Sequence, residues 1–192
     1  MQPIVDFILE LDRLKTVTRR TRPLGLDRQE NSAEHSWHIA VMATSLVQHA
    51  AEPVNLDRVI RMLLVHDIGE IDTGDTMVYT TEGLAERKAG ERAAVTRIFG
   101  LLPEGRGAEL LALWEEFEAE QTAEARFAHA MDRAVPVLLN LANDGQSWVD
   151  NGIDYHRVVA RVGPQVKAGC PALWDYLEQR LAEANGAGWF GR

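Results

Sequence analysis

Apolar residues recur at helical spacing along almost the whole chain, and no stretch alternates as a half-buried strand requires. Residues 3–16 place Ile4, Phe7, Ile8, Leu11 and Leu14 on one stripe. A second helix is expected to start near ENSAEHSWHIA, where Asn31 followed by Glu34 has the capping-box pattern, and to run to about residue 51. A third begins after Asn55 and covers LDRVIRMLLVHDIGE until DTGD turns the chain. Further helices are expected over 82–100, 106–120, 122–143 (capped by Thr122), 154–167 and 171–185, with a loop at Gly145 and Asp150-Asn151-Gly152. The prediction is an all-α fold, one compact bundle of about seven or eight helices spanning residues 1–192.

The 192 residues are 46% hydrophobic and 26% charged, which is ordinary for a globular chain able to bury a core. No apolar run approaches the roughly 20 residues of a membrane span, and PIVDFILELDRLK is too acidic for a signal peptide. The net charge of −9 argues against a non-specific nucleic-acid binder, though a local cationic pocket can still take a small anion. KTVTRRTR offers such a cluster in Lys15, Arg19, Arg20 and Arg22. The single Cys170 cannot form an internal disulfide, which fits a reducing cytoplasm.

One stretch resists an ordinary reading. VHDIGEIDTGD, residues 65–75, follows an apolar helical run yet carries one histidine and four carboxylates. Burying unpaired charge is costly, so the stretch either leaves the core or meets something positive. Taken singly, His35, His66, Asp67 and Asp132 each have a bland explanation. Together, two imidazoles and two carboxylates from three helices can ligate one divalent cation. Mixed nitrogen and oxygen ligation suits Mn, Fe, Co, Ni or Zn, and Mg less well. A bound cation makes water more acidic and able to attack near neutral pH.

An upstream His35, the doublet His66-Asp67 and the distant Asp132 resemble the pattern of the HD-domain superfamily of metal-dependent phosphohydrolases. The ordered blocks RLKTVTRR, ENSAEHSWHIA, RMLLVHDIGEIDTGD and RFAHAMDRAVPVL, within about residues 10–140, resemble its 5′-deoxynucleotidase-like branch. The resemblance implies a helical homodimer with a metal and catalytic core in 10–140, and C-terminal helices over about 154–185. It implies one divalent ion held by His35, His66, Asp67 and Asp132. The implied reaction is release of phosphate from (deoxy)nucleoside 5′-monophosphates by attack of a metal-bound water. Glu70 would position or deprotonate that water, Asp75 would contact the sugar, and Arg19 would bind the phosphate.

The residue types agree in part. Glu70 is four residues after His66 and would share its helix face. Arginine's planar fork suits phosphate, but spacing leaves Arg19 and Arg20 as alternatives. His129 is the only histidine in 76–131, so a two-metal site is disfavoured. His38, His129 and Asp72 are assigned no ligand role, and Trp37 is expected in the core. TMVYTTEG (76–83) departs from the branch, which often continues with a proline-containing segment. Two alternatives follow: hydrolysis of another phosphorylated metabolite or alarmone-type diphosphate, and a non-catalytic helical protein with a structural metal.

Overall fold

A computed structural model of the chain describes residues 1–80, 82–103 and 105–191. Thr81 of the TMVYTTEG stretch lies outside them. Ten α-helices follow in order: α1 (Gln2–Asp12), α2 (Ser32–Leu46), α3 (Leu56–Val65), α4 (Glu70–Thr73), α5 (Leu84–Phe99), α6 (Arg106–Ala119), α7 (Ala123–Ala142), α8 (Gln146–Asp150), α9 (Tyr155–Gly169) and α10 (Pro171–Gly186). Short 3₁₀ turns at Arg13–Thr16 and Val47–His49 extend α1 and α2. Among the described residues the only bridge of β type joins Thr18 to Asn31. The all-α expectation holds. The periodicity marked the eight long helices and missed the single turns α4 and α8.

The helix starts are set by local chemistry. Asn31 accepts from the Glu34 N–H at 3.0 Å while Glu34 accepts from the Asn31 N–H at 2.8 Å, which is the expected capping box. Asn55, Thr122 and Asp154 cap α3, α7 and α9 through their side-chain oxygens.

Helix α7 is the axis of the molecule. Its buried residues face every direction, from Phe127 and Met131 to Val137 and Leu141. One side meets α2 and α3 through Ile39, Ala43, Val59 and Met62. The other meets α9 and α10 through Val158, Val162, Leu177 and Leu181. A third cluster, with Leu14, Ile68, Val95, Ile98 and Trp114, packs α5 and α6 beneath the turn after α3. Pro136 interrupts α7 without ending it. Having no N–H, it cannot donate to the Asp132 carbonyl four residues back.

Two expectations need correction. Trp37 is not in the core but 64% exposed, because α2 buries the stripe His35, Ser36, Ile39, Ala40 and Ala43 and Trp37 lies off it. The third helix also ends sooner than the sequence suggested, at Val65. Residues 66–69 continue in a tighter turn, with three-residue hydrogen bonds from Ile68 to Val65 and from Glu70 to Asp67. His66 and Glu70 therefore do not share the face of one regular α-helix.

Candidate metal centre

The turn at 66–69 is held from two sides. Trp114 of α6 donates its indole N–H to the His66 carbonyl at 3.0 Å. Gly69 rests on α5, where a Cβ would stand 3.0 Å from the Glu91 carbonyl oxygen, so any side chain would have to push that backbone away. Gly74 then ends α4 with a φ of 75°, a left-handed region glycine enters freely, and sends Asp75 back toward the same point. Across from the turn stand His35, in the first turn of α2, and Asp132, in the middle of α7.

His35, His66 and Asp132 are all buried, and each offers a ligand atom within 4.8 Å of the other two. His35 Nε2 lies 3.1 Å and His66 Nε2 3.8 Å from Asp132 Oδ1. The fourth expected ligand, Asp67, stands beside them, with Oδ1 3.0 Å from His66 Nε2 and Oδ2 accepting from Arg19 at 2.7 Å. The turn after α3, α2 and α7 thus bring together the four residues expected to do so, three of them as a tight triad.

The imidazoles are arranged for ligation. His66 donates from Nδ1 to the Leu63 carbonyl at 2.8 Å, which leaves the Nε2 lone pair facing Asp132. Nε2 is buried and has no hydrogen-bond partner of good geometry. His35 Nδ1 faces Glu30 Oε2 at 3.4 Å, with both atoms buried and otherwise unpartnered. Nitrogen, nitrogen and carboxylate oxygen form a donor set that fits a divalent transition metal.

Charge makes the same demand. Glu30, Asp67, Glu70, Asp75 and Asp132 converge here, with Arg19 among them and Arg133 reaching Asp132 Oδ2 at 3.1 Å from one side. Besides Asp67, Arg19 approaches Asp75, Glu30 and Asp132 at 3.8–3.9 Å. Burial alone would lower the pKa of His66, yet Asp67 and Asp132 outweigh it and push it up to about 10. Burial also opposes ionisation of Asp67, but His66 and Arg19 hold it down at about 2. Glu70 is raised well above the usual carboxylate range, first by burial and then by Asp67, although Arg19 pulls the other way. Asp75 is raised too, by burial and Asp67, against the charge of Arg19. A cluster with this surplus of carboxylates is stabilised by a cation.

Glu70 accepts from the Ser32 hydroxyl at 2.6 Å, which aims its carboxylate beside the triad. Arg19 is held in place because its N–H donates to the Glu30 carbonyl and the Glu30 N–H to Thr21, both at 2.8 Å. Arg20 is exposed. Both arginines, Glu70 and Asp75 line one cavity of about 370 Å³ that includes His66, Asp67 and Asp132 in its wall.

Glu30 and Ser32 were missed in the sequence. An acid just before a helix cap ordinarily faces water, and only the short return from Thr18 to Asn31 turns Glu30 inward. His38 stands outside the triad, half-buried beside Trp37. His129 is buried, stacked on Phe117 at 3.9 Å and donating to its carbonyl at 2.8 Å, so it is part of the cavity wall. Asp72 faces away and takes both oxygens to Arg97 at 2.8 Å.

Comparison with known proteins gives this arrangement a context. The HD domain family model matches residues 11–174. Human 5′-deoxynucleotidase HDDC2 is 32% identical over 136 residues, which cover 70% of this chain. The chain spans 65% of the human protein's length. A 5′-deoxynucleotidase from Pasteurella multocida is 28% identical over 155 residues, 76% of this chain and 79% of its own. Among solved structures, one described as a predicted metal-dependent phosphohydrolase from Magnetospirillum magnetotacticum superposes with a TM-score of 0.92. It is 42% identical and covers 100% of this chain and 98% of its own.

Proposed function

The chain belongs to the HD-domain family, and on that premise we propose that it is a metal-dependent phosphomonoesterase acting on (deoxy)nucleoside 5′-monophosphates. The observation that carries this is the buried His35–His66–Asp132 triad with Arg19 and Glu70 in the same cavity. The names of the human and Pasteurella relatives support the substrate class.

His35, His66, Asp67 and Asp132 would hold one divalent ion. When bound, the ion supplies Lewis acidity and neutralises phosphate charge. Glu30 would orient His35 through Nδ1, as a carboxylate commonly does for a ligating imidazole. Arg19 would release part of its hold on the carboxylates to receive phosphate oxygens, its rigid fork matching their spacing. Of the two arginines left open by spacing, Arg19 is the one the cluster encloses, and Arg20 serves the rim. Glu70, steadied by Ser32, would take the proton of the attacking water at its carboxylate, a bound cation beside it favouring the ionised form that burial opposes. Asp75 would accept from a sugar hydroxyl, being buried at the cavity wall just past the Gly74 turn.

We also infer a homodimer in the cytoplasm. Exposed Trp37 and Val41 lie one turn apart on α2 and offer an apolar contact face. The lone, buried Cys170 suits a reducing compartment. No described helix is long and apolar enough to cross a membrane.

The test is metal analysis of the purified protein, then phosphate release from a nucleoside monophosphate panel with Mn, Co, Fe, Ni, Zn and Mg in turn. Orthophosphate released by the wild type and lost in His66→Ala supports the reading. Pyrophosphate released from a nucleotide bearing a diphosphate ester, tested beside the panel, with no orthophosphate from the monophosphates, would replace it with the diphosphate alternative, and no release from any substrate with any ion would end it.

A further inference from the structure

The cavity has a second charged end that the proposed reaction does not use. Arg133 follows Asp132 on α7, and Arg161 lies on α9 at the cavity mouth. Arg133 Nε donates to Gln165 Oε1 at 3.0 Å, and an Arg161 Nη donates to the same oxygen at 3.3 Å. Two guanidinium groups therefore converge on one neutral amide oxygen. Like charges this close repel unless an anion lies between or beside them.

The local carboxylates answer that charge only in part. Arg133 pairs with Asp132 Oδ2 at 3.1 Å, the oxygen that neither His35 nor His66 takes. Glu120 takes the Gln165 amide N–H at 2.5 Å instead of an arginine, and Glu118 is taken by Lys88 at 3.0 Å. Arg161 makes no ion pair among the described residues. Its remaining bond is from Nε to the Val78 carbonyl at 3.0 Å. Burial and then the charge of Arg133 lower its pKa, while Glu120, Tyr79 and Asp132 pull the other way. Tyr79, also in the wall, keeps its proton because burial pushes it up to about 12, and so adds a donor at this end.

We propose that Arg133 and Arg161 form a second anion subsite, and that the preferred nucleoside 5′-phosphate substrate carries another phosphate group at the end remote from the metal cluster. Two guanidiniums match the charge of a phosphate dianion and offer more N–H donors than a carboxylate can accept. The inference rests on the reading that the ester is cleaved beside His35, His66 and Asp132. The competing role for Arg161 is structural: with Arg157, which donates to the Tyr79 carbonyl at 2.8 Å, it straps the 76–80 segment to α9.

The probes are α,ω-alkanediol bisphosphates of increasing length and the matching ω-hydroxyalkyl monophosphates. Affinity is measured by calorimetry on the whole protein, and again as competition against nucleoside monophosphate hydrolysis. At one spacer length the bisphosphate binds at least ~10-fold tighter than its monophosphate. In Arg161→Gln that ratio collapses toward one, and Arg161→Lys, which keeps the charge, retains part of it. A ratio near one at every length in the wild type overturns the proposal. So does a ratio that survives Arg161→Gln while both affinities fall together, the outcome of a strap alone. If the bisphosphate preference stands but no monoester is hydrolysed, the proposed reaction fails and the subsite survives.

Discussion

The two ends of the cavity are unbalanced in opposite senses. At the triad, five carboxylates surround Arg19 and two imidazoles, so the protein lacks positive charge there. At the other end, Arg133 and Arg161 share an amide oxygen and only Arg133 has an ion pair, to Asp132, so positive charge is in excess there. Neither end is a sound way to stabilise a fold, because unpaired buried charge costs free energy. Each becomes favourable once a ligand of opposite sign arrives. The acidic end is deep, built on helix interiors and tight turns, and suits a resident ion. The basic end is at the mouth, on long flexible side chains, and suits a group that comes and goes.

The largest break in this contrast comes from the acidic end. His66→Ala removes the free Nε2 and leaves Asp67 and Asp132 facing each other without an imidazole. Metal content should fall to near zero, and kcat/KM by more than about 10³-fold, since the ion contributes several kcal/mol of charge stabilisation. Retained stoichiometric metal in the variant would sink the ligand assignment. Glu70→Gln should act differently. It keeps the shape and the metal but loses the proton acceptor, so kcat should drop about 10²–10⁴-fold with metal content unchanged. If metal and activity fell together, Glu70 would be a ligand rather than a base.

The deep end was largely legible in the sequence and the mouth was not. His35, His66, Asp67 and Asp132 are polar residues set into apolar helices, a mismatch that shows in the order of residues alone. The caps Asn31, Asn55 and Thr122 are likewise local, since each side chain reaches only to a backbone N–H a turn away. By contrast, Arg161 sits on an amphipathic helix where an arginine looks solvated, and only the packing of α9 on α7 brings it to Arg133. Glu30 was hidden for the same reason. The turn at 66–69 was misread because three-residue and four-residue hydrogen bonding carry the same residue types, and only packing against Trp114 and α5 selects the tighter form. The single turn α8 was masked by its flanking loop residues.

A smaller effect sharpens the contrast by testing an acid on the cavity wall that has no partner in either end. Glu91 is pushed up to about 7 from its ordinary 4.5 by burial, with Glu118 and Asp67 adding to it. The unfolded carboxyl releases its proton near the ordinary value while the folded one keeps it to about 7. Between those values the folded state binds more protons, so stability falls as pH rises through that window. The full shift corresponds to about 3 kcal/mol, and partial exposure cuts the realised cost to ~1 kcal/mol. Glu91→Gln should match the wild type in denaturant unfolding at pH 4 and exceed it by ~1 kcal/mol at pH 8. Equal differences at both pH values would show that the carboxyl is not titrating in this window.

The smallest effect belongs to Asp72, the one acid of the 65–75 stretch that turned away from the cavity. Its two oxygens meet Arg97, which also binds Glu10 at 2.6 Å, tying α1, α4 and α5 together at the surface. Such a pair is worth little, because water screens it and two long side chains must be ordered. The bidentate geometry places it toward the upper part of that range, so Asp72→Asn should lower stability by ~0.5–1 kcal/mol. A double-mutant cycle with Arg97→Met isolates the pair from the rest of each side chain. Metal content, kcat and KM should stay at wild-type values, since Asp72 touches neither the triad nor the cavity. A change in metal binding would mean that the four carboxylates between Asp67 and Asp75 act as one field, and that the division between an inward set and an outward one is wrong.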